Sequence, residues 1–104
     1  MKVNVEGHAY ELSNFENGDS EGQKLQFIHK EPIEEGSTEL KTAANGTTNE
    51  EVLSVLINRM QYLQSKFPCR ENAIVITKLE ESLMWLNKRT QDRVNRNVEG
   101  MNVK

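Results

Sequence analysis

Cys69-Arg70-Glu71-Asn72 fall together in one turn, and Arg89, Arg93 and Arg96 crowd the end of a helical stretch; a hairpin built only for packing needs neither group. Arg89 and Arg93 are four residues apart and so share a helix face. Two guanidinium forks on one face suit an anionic cluster of oxygens, because each fork presents parallel N–H donors. The plain alternative is a solvated helix end whose cations complement the macrodipole. Asn72 carries donor and acceptor on one planar group, yet so near a helix start it serves equally well as a cap. Tyr62 offers an aromatic face, for which packing is the competing use. Arg70 and Glu71 read as a surface pair of small consequence. Catalysis is harder to assemble. His8 and His29 have no carboxylate or nucleophile partner in view, and nothing in the sequence identifies a base that would activate the Cys69 thiol. A single cysteine excludes an intramolecular disulfide and, with two distant histidines, argues against structural zinc. No cofactor is expected.

Hydrophobic spacing predicts the elements that position these groups. Thr48 with Glu51 forms a capping box, and carboxylates favour a helix N-terminus. Leu53, Leu56, Ile57, Met60, Leu63 and Phe67 then recur at three- and four-residue intervals as one apolar face. Pro68 ends that helix. A second runs from about Glu71 to about Arg96, with Ile76, Leu79, Leu83 and Leu86 inward and Thr90 at the margin. The short connection makes an antiparallel hairpin with Tyr62 and Asn72 near its apex. Lys78, Glu80 and Glu81 form a solvated face or link protomers, and the chain from Val98 is mobile unless it docks.

Upstream, the alternation has period two. Val3 and Val5 form a first strand, and Tyr10 and Leu12 a second. In a third run Leu25, Phe27 and His29 face one side, with Gln26, Ile28 and Lys30 on the other. Pro32 closes that run, Gly36 offers a turn, and residues 38–42 pair back as a hairpin. Residues 17–22 read as a flexible loop, and Asn45-Gly46-Thr47, a glycosylation acceptor by pattern, reads as a turn. The fold class is α+β in a single domain: a small antiparallel sheet over residues 1–44, which should pack on the helices, then a helical hairpin and tail over 45–104.

At 104 residues and 36% hydrophobic content, the core is thin for a domain that stands alone. Val52, Val55, Ala73, Val75, Met84 and Trp85 lie partly off the inward faces. The sheet covers some of them or they form a second packing surface, which predicts a homo-oligomer, a dimer or an assembly of dimers, with Trp85 in its interface. No signal segment or membrane-length apolar run is read, so a cytoplasmic location is expected. Residues 1–51 carry eleven acids and four bases, and residues 52–104 nine bases and five acids; the halves are −7 and +4 within a net charge of −3. An anionic ligand should prefer the second half.

Phe67-Pro68-Cys69-Arg70-Glu71-Asn72, Thr77-Lys78-Leu79-Glu80-Glu81 and Met84-Trp85-Leu86-Asn87-Lys88-Arg89-Thr90 resemble the phage Thoeris anti-defence sponges of the first-described type. The Lys-Leu-Glu-Glu…Met-Trp hairpin is shared more loosely with the phage anti-CBASS cyclic-nucleotide sponges. The resemblance covers roughly residues 46–100, and the upstream strands fit the family's plan without being diagnostic. It implies a protein that is not an enzyme, that binds cyclic ADP-ribose isomers or other cyclic nucleotide signals, and that withholds them from an immune effector in the infected host cell. It also implies that Tyr62, Asn72, Arg89 and Arg93 contact the ligand. The chemistry agrees: an aromatic platform for adenine, an amide for a purine edge, and forked cations for the phosphates.

Helix geometry adds a constraint. Arg93 lies 21 residues beyond Asn72, about 30 Å along one helix, farther than a small nucleotide reaches. Either two separate sites exist or antiparallel protomers bring one apex beside another chain's arginines; we favour the second. The competing functions are nucleic-acid attachment, disfavoured by the acidic balance and the lack of a long basic stripe, a purely structural phage protein, and an enzyme without a credible catalytic set.

Overall fold

Five strands precede two helices: β1 (Lys2–Val5), β2 (Ala9–Leu12), β3 (Gln23–Gln26), β4 (His29–Pro32), β5 (Leu40–Ala44), α1 (Asn49–Lys66) and α2 (Arg70–Asn95). The computed structural model describes residues 1–17 and 21–104, so the core of the loop expected over 17–22 lies outside the described residues. The chain divides into two units, Met1–Thr48 and Asn49–Lys104.

In the first unit β1, β2 and β3 form an antiparallel sheet in that order, and β4 and β5 form a separate antiparallel pair. Val3 faces Tyr10 and Tyr10 faces Leu25, so these three share a side of the sheet, whereas a register shift between Val3 and Val5 sets Val5 opposite Ala9. The Tyr10 and Phe27 rings meet edge to face at 5.9 Å, and His8 and His29 stack at 3.6 Å.

The expected third run is two strands. It breaks at Phe27-Ile28, where the backbone leaves one sheet and enters the other. The Thr47 N–H donates to the Gln26 carbonyl at 2.8 Å, and the Ile28 N–H donates to the Thr47 carbonyl at 2.8 Å. This crossing has room only because residue 46 is glycine. A Cβ there would collide with the Gln26 carbonyl oxygen and come within 2.7 Å of the Phe27 carbonyl carbon. Pro32 does not end the run ahead of a turn; it is the last residue of β4 and pairs with Leu40.

The second unit is the antiparallel helical hairpin. Acidic Glu50 and Glu51 occupy the first turn of α1, where they suit the helix dipole. Leu53, Ile57, Met60 and Leu63 of α1, with Ile76, Leu79, Leu83 and Leu86 of α2, are half-buried along the seam. Two members of the expected α1 face do not join it. Leu56 is exposed, and Phe67, beyond the last residue of the helix, is 80% exposed. Thr90 is exposed as well. Among the described residues no apolar side chain is fully buried.

α2 starts one residue earlier than its pattern suggested. Cys69, in extended conformation, is its N-cap, and its Sγ accepts from the Asn72 N–H at 3.4 Å. The far end closes with a left-handed residue: Asn97 has φ 58°, its N–H donates to the Val94 carbonyl, and the Val98 N–H donates to the Arg93 carbonyl. These two bonds are the Schellman pattern, which satisfies carbonyls the helix leaves open.

Candidate functional site

The hairpin apex is held by a reciprocal amide clamp. The Cys69 N–H donates to Gln64 Oε1 at 3.0 Å, and Gln64 Nε2 donates back to the Cys69 carbonyl at 3.0 Å. The pair satisfies backbone groups that Pro68 and the helix ends leave without partners. Sequence reasoning missed Gln64, because a surface amide carries no pattern that says which backbone it will close on.

Tyr62 lies one turn before the end of α1 and is 58% exposed, with the Lys66 ammonium 5.6 Å from its ring centroid. It is therefore not a core residue. Its ring is open on the surface beside a cation. Asn72 is half-buried in the first turn of α2, and only its backbone N–H is engaged by the cap. The side-chain amide is thus not the cap that the sequence left open; Cys69 takes that role.

At the opposite end of α2, the two arginines differ. Arg89 is exposed and, among the described residues, makes no hydrogen bond or ion pair. Arg93 is 8% exposed, buried more deeply than any other described side chain. Its Nη2 donates to the carbonyls of Val98 at 2.8 Å and Met101 at 2.6 Å, and its Nη1 donates to the carbonyl of Val103. The chain after α2 is docked on this guanidinium. Arg96 pairs with Asp92 at 3.7 Å and also donates to the Lys104 carbonyl.

Asn72 and Arg93 are near opposite ends of the one unbroken helix, Arg70–Asn95, roughly 30 Å apart by helical rise. One chain brings Tyr62 and Asn72 to the apex and Arg89 and Arg93 to the other end; it does not bring the two pairs together.

Between them, α2 presents two further features. A cavity of about 280 Å³ is lined by Arg70, Ala73, Ile74, Thr77 and Lys78, two cations around an apolar floor. Met84 and Trp85 follow at 53% and 56% exposure, with the Lys88 ammonium 5.1 Å from the Trp85 ring. Neither His8 nor His29 lies in this unit, although His29, for which no carboxylate partner was expected, has the Glu31 carboxylate 3.4 Å from its Nε2. Cys69 Sγ is engaged in the cap.

The sequence pattern of the Acb2/Tad1 hairpin domain matches residues 28–91. The chain is also similar to Thoeris anti-defense 1 of Bacillus phage SBSphiJ7, at 60% identity over 62 residues. That stretch is 59% of this chain and 44% of the relative, so the chain spans less than half of the relative's length. The hairpin-domain match takes in Tyr62, Asn72 and Arg89 and stops short of Arg93.

Proposed function

This chain belongs to the Acb2/Tad1 hairpin-domain family, and from that membership we propose that it is a phage anti-defence sponge. It binds a cyclic ADP-ribose isomer, or a related cyclic nucleotide, and holds it without cleaving it inside the infected bacterial cell. The observation that carries this reading is the surface chemistry of the matched stretch. It holds an open aromatic ring on the last turns of α1, a half-buried amide in the first turn of α2, and an unengaged guanidinium toward the other end of α2.

In this reading the Tyr62 ring stacks on the adenine, and Asn72 pairs with the base edge. Arg89 and Arg93 fork the two phosphates. The separation along α2 requires two chains, with the apex of one beside the arginines of the other. The exposed Ile74, Met84 and Trp85 supply apolar area for that pairing. Residues 45–104 then carry the ligand, and residues 1–44 form the accompanying sheet portion. Binding needs no proton transfer and no nucleophile.

The discriminating experiment is calorimetric titration with cyclic ADP-ribose, a linear ADP-ribose control and a short DNA duplex. Saturable binding of the cyclic compound alone supports the sponge. Preference for the duplex supports the nucleic-acid alternative, and binding of none leaves a structural phage protein.

A further inference from the structure

The residue that should grip phosphate is already gripped. Arg93 is the most deeply buried side chain among the described residues, and its partners are three backbone carbonyls of the segment just after α2. Both terminal nitrogens of the guanidinium are engaged. A forked phosphate contact needs two parallel N–H donors of one edge, so it cannot form while Val98, Met101 and Val103 hold these nitrogens.

The segment is placed there by defined backbone devices. Asn97 at φ 58° and Gly100 at φ 79° turn the chain back, the Val98 N–H closes on the Arg93 carbonyl at 3.0 Å, and the Met101 N–H closes on the Val98 carbonyl at 3.0 Å. Val98 and Val103 are half-buried by the same fold-back. Arg93 thus anchors the segment through its main chain and its side chain together. Arg89, one turn earlier on the helix, has no such strap.

We propose that residues 97–103 are an internal strap that competes with phosphate for Arg93. The strap fills the guanidinium fork with neutral carbonyls in the free protein, and an anion displaces it. Exchange is feasible in that direction because phosphate adds an opposite charge and two parallel acceptors, where each neutral carbonyl offers the guanidinium one uncharged acceptor, and the released carbonyls return to water. The strap therefore reduces the apparent affinity by the fraction of chains in which Arg93 is free, and ligand binding releases the segment. Arg89 makes the first contact and Arg93 the second, after release. This rests on the proposed role of Arg93 toward phosphate; it does not depend on which cyclic compound is the natural ligand.

The test uses the full chain, with inorganic pyrophosphate as the probe. Asn97→Val and Gly100→Val place β-branched residues at left-handed positions and should unseat the strap while α1 and α2 persist by circular dichroism. Modification by phenylglyoxal, mapped by mass spectrometry, should be slow at Arg93 and fast at Arg89 in the unaltered chain. Either variant should bring Arg93 up to the Arg89 rate, and pyrophosphate should then protect both. Pyrophosphate should also bind the variants about tenfold more tightly than the unaltered chain. Equal reactivity of Arg93 and Arg89 in the unaltered chain overturns the proposal, because no strap then exists. An exposed Arg93 with unchanged or weaker pyrophosphate affinity overturns it too, because the strap then only positions the arginine. A parallel titration with cyclic ADP-ribose separates the two claims. Strap behaviour with pyrophosphate but no cyclic ADP-ribose binding refutes the proposed function and leaves the strap standing.

Discussion

Gln64 and Cys69 close the hairpin apex by exchanging two hydrogen bonds of 3.0 Å, one in each direction, between a side-chain amide and a backbone unit. The bond geometry fixes where α1 ends and where the Cys69 cap of α2 begins, and so sets Tyr62 and Asn72 at one end of the molecule's helical unit. Gln64→Ala removes both bonds and should destabilise the hairpin by about 1–2 kcal/mol, since solvent-accessible hydrogen bonds contribute toward the low end of the usual range. Gln64→Glu keeps the acceptor for the Cys69 N–H but loses the donor, and should fall between. Urea unfolding followed by helix ellipticity reads both; identical midpoints for all three chains would show that the clamp contributes nothing.

Tyr62→Ala should leave thermal stability unchanged, because the ring is already largely in water. Retention of cyclic ADP-ribose should weaken by about 1–3 kcal/mol, roughly 5- to 150-fold, the range for loss of one aromatic–base stack. Calorimetry checks the affinity and a melting curve the fold. A lower melting temperature with unchanged affinity would return Tyr62 to a packing role.

Arg89 and Arg93 should separate in the same two measurements. Arg89→Ala removes an exposed, unengaged side chain and should reduce ligand binding without altering the melting temperature. Arg93→Ala removes the anchor of three carbonyls and should lower both. In the unaltered chain affinity should fall as salt rises, because exposed cations are screened over about 8 Å at physiological ionic strength. Salt-independent binding would speak against direct phosphate pairing.

Much of the helical unit was legible beforehand, and the reasons lie in particular residues. The three- and four-residue spacing of Leu53 to Leu63 and of Ile76 to Leu86 identifies the two inward faces, and Pro68 marks the break between them. What remained hidden involves the backbone as a partner. The split between β3 and β4 depends on the passage of Thr47 beside Gln26, which only the glycine at 46 permits, and no side-chain alternation reports it. The occupation of Arg93 is hidden likewise. Its partners are carbonyls, which every residue possesses, and the four-residue spacing to Arg89 says nothing about which of the two is free.

Trp85→Glu should disperse the proposed assembly, because it puts a charge on the exposed Met84/Trp85 surface where two copies would pack. Sedimentation should shift to the mass of one chain, with helix content retained and ligand capacity lost. In a complementary arrangement, Tyr62→Ala/Asn72→Ala chains mixed with Arg89→Ala/Arg93→Ala chains should recover part of the capacity that each lacks alone. Mixed oligomers that form but capture nothing would mean that the apex and the arginines belong to separate sites.

Capture without chemistry means that the bound compound leaves the protein as it entered. The protein is incubated with cyclic ADP-ribose, unbound compound is removed by filtration, and the retained fraction is heated until the chain unfolds and then analysed by mass spectrometry. The compound should be depleted from the filtrate and return after heating with its mass and retention unchanged, in proportion to the protein used. Recovery of a ring-opened product, or a filtrate from which nothing was removed, would contradict it.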